Sequence, residues 1–357
     1  MKRNSIAILL PYKDHFTRSN AGSASIWVKD FNKRSQFKND TLIFGNTPHL
    51  KDLISKNNYI NLPVKEINLG SKNASYVNEF IKYNEKYKAE LIEVHNRPSY
   101  VHQILKNKVR SKIILIFHNN PLTLGGSESI EERKLLIEKC SKLIFVSNWV
   151  KEKFFEKFDK KNHPKCEVIY PSIDSINKFP KKKKIISFVG KLNRSKGFHI
   201  FGNAVIKILN KYKNWNAIVV GDEPRERYNF KHKNLKYLGW ISHEKTLKLY
   251  DSTSISVIPS EWEEPFGRTA VEAASRGCAT IVSKRGGLIE TVANTIFLTE
   301  LNDKELYNKI HYLVSKPKER KKIQIQSYKN HLHDLNNNTR KIDKYRSDLL
   351  IKKIFSI

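Results

Sequence analysis

Lys191, Arg194 and Lys196 lie between Gly190 and Gly197, directly after the apolar run Ile185–Val189 and before an amphipathic stretch. A strand ending at Gly190 and a helix opening near Gly197 would aim free backbone N–H groups and about half a positive charge at this loop. With Lys191 and Lys196 added, the loop is a cradle suited to a diphosphate. Taken alone, the same residues also describe a surface loop in a lysine-rich chain. The G-x-x-x-x-G-K-[ST] spacing is not met, and no G-x-G-x-x-G follows a strand, so a nicotinamide dinucleotide site lacks its main support.

The second chemical stretch runs from Ile258 to Cys278. A strand ends near Ile258, the acidic loop Glu261-Trp-Glu-Glu264-Pro-Phe266-Gly267 follows, and a helix opens at Gly267-Arg268. Glu264 stands on the loop side of that helix start, and Glu272 stands about a turn and a half inside it. Ala270, Ala273 and Ala274 let the helix pack closely. One carboxylate can face a sugar and the other a ribose, while the helix N–H groups face phosphate. A helix stabilised by acids in its first turns accounts for Glu264 as well, but it does not account for the whole loop.

This segment resembles the E-x₇-E motif of family 4 retaining glycosyltransferases of the GT-B fold, with Glu264 and Glu272 at its ends. Gly190-Lys191 to Lys196-Gly197 resembles that family's phosphate loop, and Gly221-Asp222 its G-D/E-G loop. Ala279 to Ser283 with Gly286-Gly287-Leu288-Ile289-Glu290 resembles a further run of the same family. The likeness is firm over residues 186–292 and looser before them. It implies that Lys191 and Lys196 neutralise a leaving diphosphate, with Gly190, Gly221 and Arg268 in the donor site. It implies that Glu264 holds donor-sugar hydroxyls beside the Phe266 and Gly267 N–H groups, and that Glu272 holds a ribose. It also implies catalysis with no metal and no cofactor. Lys191 stands where the family often has Arg, which gives up the bidentate fork but keeps the charge.

In the N-terminal half, Ser19-Asn-Ala-Gly22-Ser23 resembles the family's glycine-rich acceptor loop, with Ser23 replacing a second glycine. His118, after the run Ile113–Phe117, matches a position where the family often has a histidine reaching the donor sugar. His95 and Arg97 follow another apolar run. Either histidine could instead be a loop residue or a helix cap. Arg97 is a candidate for an anionic acceptor group. The catalytic set expected is Glu264, His118 and Lys196, with Gly22, Ser23, His95 and Arg97 on the acceptor side.

Elements able to hold these residues alternate along the chain. Ile6–Leu10, Thr41–Phe44, Leu91–Val94, Ile113–Phe117, Leu143–Val146 and Val168–Tyr170 read as buried strands. Residues 25–37, 74–87, 129–139 and 148–158 read as helices between them. After a break at Pro171–Asp174 and the run Lys181–Lys184, the alternation resumes through residue 313, and a polar helical stretch follows Pro317. Such alternation predicts βαβ units with parallel sheets. The fold class expected is α/β: two Rossmann-like domains facing across a cleft, with C-terminal helices packing back toward the first. The expected domains are 1–178 on the acceptor side, 179–335 binding the nucleotide sugar, and a helical segment 336–357. Ligands in such sheets bind beyond the strands' carboxyl ends, where each of the stretches above falls.

Composition agrees with a two-domain globular chain. No apolar run approaches the ~20 residues needed to span a bilayer, and Ile6–Leu10 is too short for a signal peptide. Three distant cysteines argue against a disulfide framework or zinc site and fit a reducing cytoplasm. The net charge of +31 invites a polyanion. Lysine is spread along the whole chain in the Lys-, Asn- and Ile-rich manner of an AT-rich genome, and no nucleic-acid module appears, so nucleic acid is not expected. The Lys181–Lys184 run reads as a solvated linker or a binding site. The function expected is transfer of a hexose-type sugar from a nucleotide sugar to a saccharide or lipid-linked acceptor. This would serve lipopolysaccharide or envelope polysaccharide synthesis in the cytoplasm, with an anionic membrane surface as a further partner. The rivals are a nucleotide-sugar epimerase or hydrolase of the same fold, and a basic nucleic-acid-binding protein.

Overall fold

The structure, a computed structural model, describes residues 5–48, 50–64, 71–174, 176–330 and 333–351. Two compact units divide it: one runs to Ser172 and resumes at Leu335, and the other is Ile173–Asp334. The first boundary therefore falls at Ser172 rather than 178. The segment expected to stand apart from 336 onward belongs to the first unit.

In the first unit the order is β1 (Ile6–Leu9), α1 (Ser23–Arg34), β2 (Thr41–Gly45), β3 (Tyr59–Asn61), α2 (Lys72–Tyr87), β4 (Leu91–His95) and α3 (Pro98–Lys106). Then come β5 (Lys112–Phe117), α4 (Ile130–Lys139), β6 (Lys142–Phe145), α5 (Asn148–Phe154) and β7 (Cys166–Val168). All the strand pairs are parallel, in the order β3-β2-β1-β4-β5-β6-β7. β1 and β4 are buried along their whole length, as strands covered on both faces must be. Local chemistry sets the helix starts. Ser129 and Glu132 form a reciprocal capping box at α4, and the Ser147 hydroxyl caps α5.

In the second unit β8 (Ile185–Val189), α6 (Phe198–Lys211), β9 (Asn216–Val220), β10 (Leu235–Tyr237), α7 (His243–Ser252) and β11 (Ile255–Ile258) lead into α8 (Arg268–Ser275). β12 (Ala279–Ser283), β13 (Ile296–Leu298), α9 (Asp303–Ser315) and α10 (Pro317–Lys329) complete it. This sheet is also parallel, in the order β10-β9-β8-β11-β12-β13. The last helix, α11 (Leu335–Ile351), packs on α1 and β4 of the first unit. Both units are thus Rossmann-like, and the C-terminal helix returns to the first as expected.

α11 is tied down by charge as well as by Leu335 and Ile342 in the core. Arg346 is fully buried and donates two bonds to the Glu93 carboxylate, at 2.7 and 2.8 Å. It also donates to Ser35 Oγ and Asp343 Oδ1. Burial opposes its charge, but the Glu93 and Asp343 carboxylates outweigh burial and hold its pKa up.

Strand order reverses between β1 and β4 in the first unit, and between β8 and β11 in the second. Those are the switch points where doubly wound sheets open a crevice at the strands' carboxyl ends. The loops there begin at Leu10 and Asn96, and at Gly190 and Pro259.

Candidate active site

At the second switch point the lysine loop and the acidic loop are stitched into one surface. The Asn193 side chain caps a short turn by accepting from Lys196 N at 3.1 Å. The turned-out Ser195 carbonyl accepts from Glu261 N and Trp262 N, both at 2.9 Å, and lies 3.1 Å from Ser260 Oγ. Gly197 makes this approach possible. Its φ is +69°, and a Cβ there would lie 1.9 Å from the Pro259 carbonyl oxygen. No other residue fits a left-handed position against backbone so close.

The consequence is an ion pair. Lys196 Nζ lies 2.5 Å from Glu264 Oε1, and Ser260 Oγ donates to the same oxygen at 2.9 Å. Lys196 Nζ also sits 4.7 Å from the centroid of the exposed Trp262 ring. Glu264 Oε2 takes no bond among the described residues, so that oxygen is available to a hydroxyl. Lys191 is exposed and makes no hydrogen bond or ion pair among the described residues. Immediately after Glu264, Gly267 takes a φ of +104° at the start of α8, and no side chain caps that helix. Gly287 N donates to the Glu264 carbonyl at 2.6 Å and fixes the loop from behind. The Phe266 side chain is buried against the His333 ring, so only its backbone belongs to the site surface.

Glu272 is buried inside α8, where Oε1 accepts from Arg268 Nε at 2.8 Å and lies 2.8 Å from His243 Nε2. Burial alone would raise its pKa. The charges and hydrogen bonds of His243 and Arg268 overcome that and leave it below the usual carboxylate range. Arg268 therefore orients Glu272 through its Nε. Beyond β9, Gly221 N bonds to the Gly239 carbonyl. Next to it, Glu223 is held by the Arg225 guanidinium at 2.7 and 2.8 Å, whose hydrogen bonds bring its pKa down to about 2.

The first switch point carries a separate constellation. The Asp14 carboxylate accepts from Gly22 N, Ala24 N and Ser25 N at 3.0, 3.1 and 3.3 Å. The Gly22 N–H is thus bonded within the chain. Ser23, next to Gly22, is exposed. Burial raises the Asp14 pKa despite these bonds. At the end of β4, His95 is fully buried, so it cannot touch an acceptor. Its Nδ1 lies 2.9 Å from Nε2 of His118, which is itself only 7% exposed. The Trp27 ring meets both imidazoles edge-on. Burial, then the nearby His118 and Arg346 charges, push the His95 pKa well down, so the inner imidazole is neutral. His95 therefore supports the His118 ring from within the core. Asn96, at φ +54°, accepts from His118 N at 3.1 Å and fixes the outer residue from its backbone side. Arg97 precedes α3, half-buried, with a bond to the Asn96 carbonyl.

Sequence reasoning missed His243, Ser260, Asp14 and Trp27. Ser260 sits inside the acidic stretch, and its spacing to Glu264 is the one available signal for it. His243 and Asp14 reach their partners from separate elements, and no local pattern announces either.

Residues 170–330 match the family described as glycosyl transferases group 1. Spore coat protein SA of Bacillus subtilis is 24% identical over 67% of this chain and 72% of that protein. An uncharacterized 42.6 kDa protein from the cps region of Klebsiella pneumoniae is 29% identical over 48% of this chain, which covers 46% of that protein. Among solved structures, sucrose-phosphate synthase from Thermosynechococcus elongatus aligns with a TM-score of 0.77 at 16% identity, covering 98% of this chain and 100% of the other. Anabaena Alr3699/HepE in complex with UDP-glucose aligns with a TM-score of 0.77 at 18% identity, covering 96% and 99%. Residues 170–330 are therefore similar to the group 1 glycosyl transferases, in a chain with the GT-B fold.

Proposed function

We propose that this protein is a retaining glycosyltransferase that moves a hexose-type sugar from a nucleotide diphosphate sugar to a saccharide or lipid-linked acceptor, without a catalytic metal. The observation that carries the reading is the Lys196–Glu264–Ser260 cluster beside the uncapped start of α8, with Lys191 unpaired next to it. In the reaction the anomeric carbon–oxygen bond to the diphosphate breaks and a bond to the acceptor hydroxyl oxygen forms. The hydroxyl proton is released, and the nucleoside diphosphate leaves with the bonding electrons. Negative charge grows on the leaving oxygen, and Lys191, Lys196 and the helix dipole oppose it; preorganised groups of this kind are usually the largest catalytic term. Glu264 Oε2 accepts from donor-sugar hydroxyls, Glu272 from the ribose, and His118 serves as the catalytic imidazole of the first unit.

The cps-region relative supports a role in polysaccharide synthesis, and the structural neighbour whose complex contains UDP-glucose supports a nucleotide sugar as donor. No described helix is long and apolar enough to cross a membrane. We place the enzyme in the cytoplasm, working on envelope saccharides at the membrane face.

Thermal unfolding with UDP, GDP and ADP sugars tests the donor assignment. A bound donor at 100 times its Kd stabilises by about 2.7 kcal/mol. Release of nucleoside diphosphate that needs an added acceptor supports transfer. Equal release without one shows hydrolysis, and isomerised donor shows an epimerase.

A further inference from the structure

A second basic site lies at the opposite end of the second unit's sheet. Lys184 immediately precedes β8 and Ser254 precedes β11, whereas the donor loops follow those same strands. Five residues of β8 separate the two ends by about 17 Å. Here residues 178–184, Ser254 and the start of α10 line a cavity of about 730 Å³.

Its floor is rigid and satisfied. Lys182 is half-buried and donates to the Tyr250 and Arg276 carbonyls, at the C-terminal ends of α7 and α8, where a cation is favoured. Arg320 does the same for the Leu313 and Val314 carbonyls of α9. Gln324 is buried and donates to the Ser254 carbonyl. The Phe179 ring is held by Tyr328 and backs against Gly277, where a Cβ would come within 2.7 Å of it.

The rim carries uncompensated charge. Lys178, Lys181, Lys183, Lys184 and Lys321 are exposed, and none pairs with a carboxylate among the described residues. No acidic residue lines the cavity. Some cations elsewhere in this unit are neutralised by carboxylates, as in Lys196–Glu264, Arg225–Glu223 and Lys207–Asp303. Lys321 Nζ lies 3.9 Å from the Phe179 ring centroid, which places one cation directly over the floor. Burial and then the charges of Lys321 and Arg276 weigh against Lys182, and its pKa is lowered. A solvated linker would spread its lysines away from one another. This chain instead gathers five around a walled concavity and uses two further cations to hold that wall.

We propose that this cavity binds a phosphate-bearing anion, either a soluble phosphate ester or the headgroup of an acidic phospholipid. The site is independent of the donor reading.

Lysine acylation followed by mass spectrometry, with and without inorganic pyrophosphate, resolves the two ends of the sheet residue by residue. The expected result is protection of Lys178, Lys181, Lys183, Lys184 and Lys321, separately from any protection of Lys191 and Lys196. The triple variant Lys181→Gln, Lys183→Gln, Lys184→Gln should bind pyrophosphate at this site on the order of a hundredfold more weakly, with donor turnover retained. Lys178→Gln with Lys321→Gln tests the opposite wall should the triple variant fail to fold. Flotation with phosphatidylcholine vesicles, with and without phosphatidylglycerol, separates the sources. Flotation on phosphatidylglycerol that the triple variant loses identifies a lipid headgroup; protection by pyrophosphate without flotation identifies a soluble phosphate. Unchanged acylation rates with pyrophosphate and with phosphatidylglycerol vesicles overturn the proposal.

Discussion

Replacing Lys196 by alanine should cost both stability and turnover, and the structure separates the two. Glu264 is 8% exposed, and without Lys196 it keeps only the Ser260 hydroxyl. Breaking a fully buried pair costs about 3–5 kcal/mol. The Lys196 side chain is 24% exposed, so solvent screens part of that, and about 2 kcal/mol is expected. Against a stability of at least about 5 kcal/mol, this leaves more than ~99% of the protein folded at 25 °C. A fall in turnover of ~10²–10³ then reports lost charge stabilisation rather than unfolding. Glu264→Gln keeps an acceptor for Ser260 but removes the charge, and the double variant should be less destabilised than the sum of the two by about 1–2 kcal/mol. Urea unfolding of the four proteins gives the cycle, and nucleoside diphosphate release gives turnover. Additivity within about 0.5 kcal/mol would refute the ion pair, and near-normal turnover by folded Lys196→Ala would refute its place in the site.

Gly197→Ala should destabilise by at least about 3 kcal/mol, because φ is positive and the new methyl meets the Pro259 carbonyl; an unchanged urea midpoint would show that the two loops are not in contact. Arg346→Leu should cost about 3–5 kcal/mol by leaving Glu93 buried and unpaired, while Arg346→Leu with Glu93→Leu should be more stable than the single variant. If the double variant is the weaker of the two in calorimetry, the buried pair is not what the single change disrupts. His95 has a folded pKa below its unfolded value of about 6.5, so the unfolded chain takes up the proton first and stability falls as pH drops below that value. The slope can reach about 1.4 kcal/mol per pH unit, and His95→Gln should flatten it; identical urea midpoints against pH in both proteins would contradict a buried neutral imidazole.

The fold was legible because its signals are local and repeated. The apolar run Ile185–Val189 coincides with β8, the strand expected to end near Ile258 is β11, and the helix expected to open near Gly197 is α6. β3, β13 and α3 escaped: the two strands have three residues each, and α3 opens on Pro98 with Arg97 where a capping side chain is usual. β7 lies at Cys166–Val168 rather than 168–170, because Val168 ends the pairing with β6 that Cys166 begins. Lys196 and Glu264 were legible as charged groups flanking two helix starts. Their pairing was not, since it depends on the Ser195 carbonyl and on a glycine packed against Pro259. His95 shows the opposite failure. Its place after a strand pointed to a ligand-facing loop, but the strand extends through it and turns its side chain inward against Trp27.

The charge at the donor loops constrains how the proposed reaction begins. Lys196 is already neutralised by Glu264, and Arg194 lies 3.5 Å from Glu261, whereas Lys191 forms no ion pair among the described residues and the α8 dipole adds to its charge. A diphosphate arriving there meets about one and a half positive charges, counting half for the helix. Its approach to Glu264 is opposed by like charge unless Lys196 lies between them. Lys196 has the position for this. Its ammonium has three donors, and among the described residues the Glu264 carboxylate is its one hydrogen-bonded partner. It can therefore keep Glu264 on one donor and offer the others to phosphate oxygens, holding the carboxylate aimed at the sugar while the leaving group gains charge. Such sharing makes Lys196 worth more in the transition state than in the free protein, which is the condition for a group to raise turnover rather than binding alone.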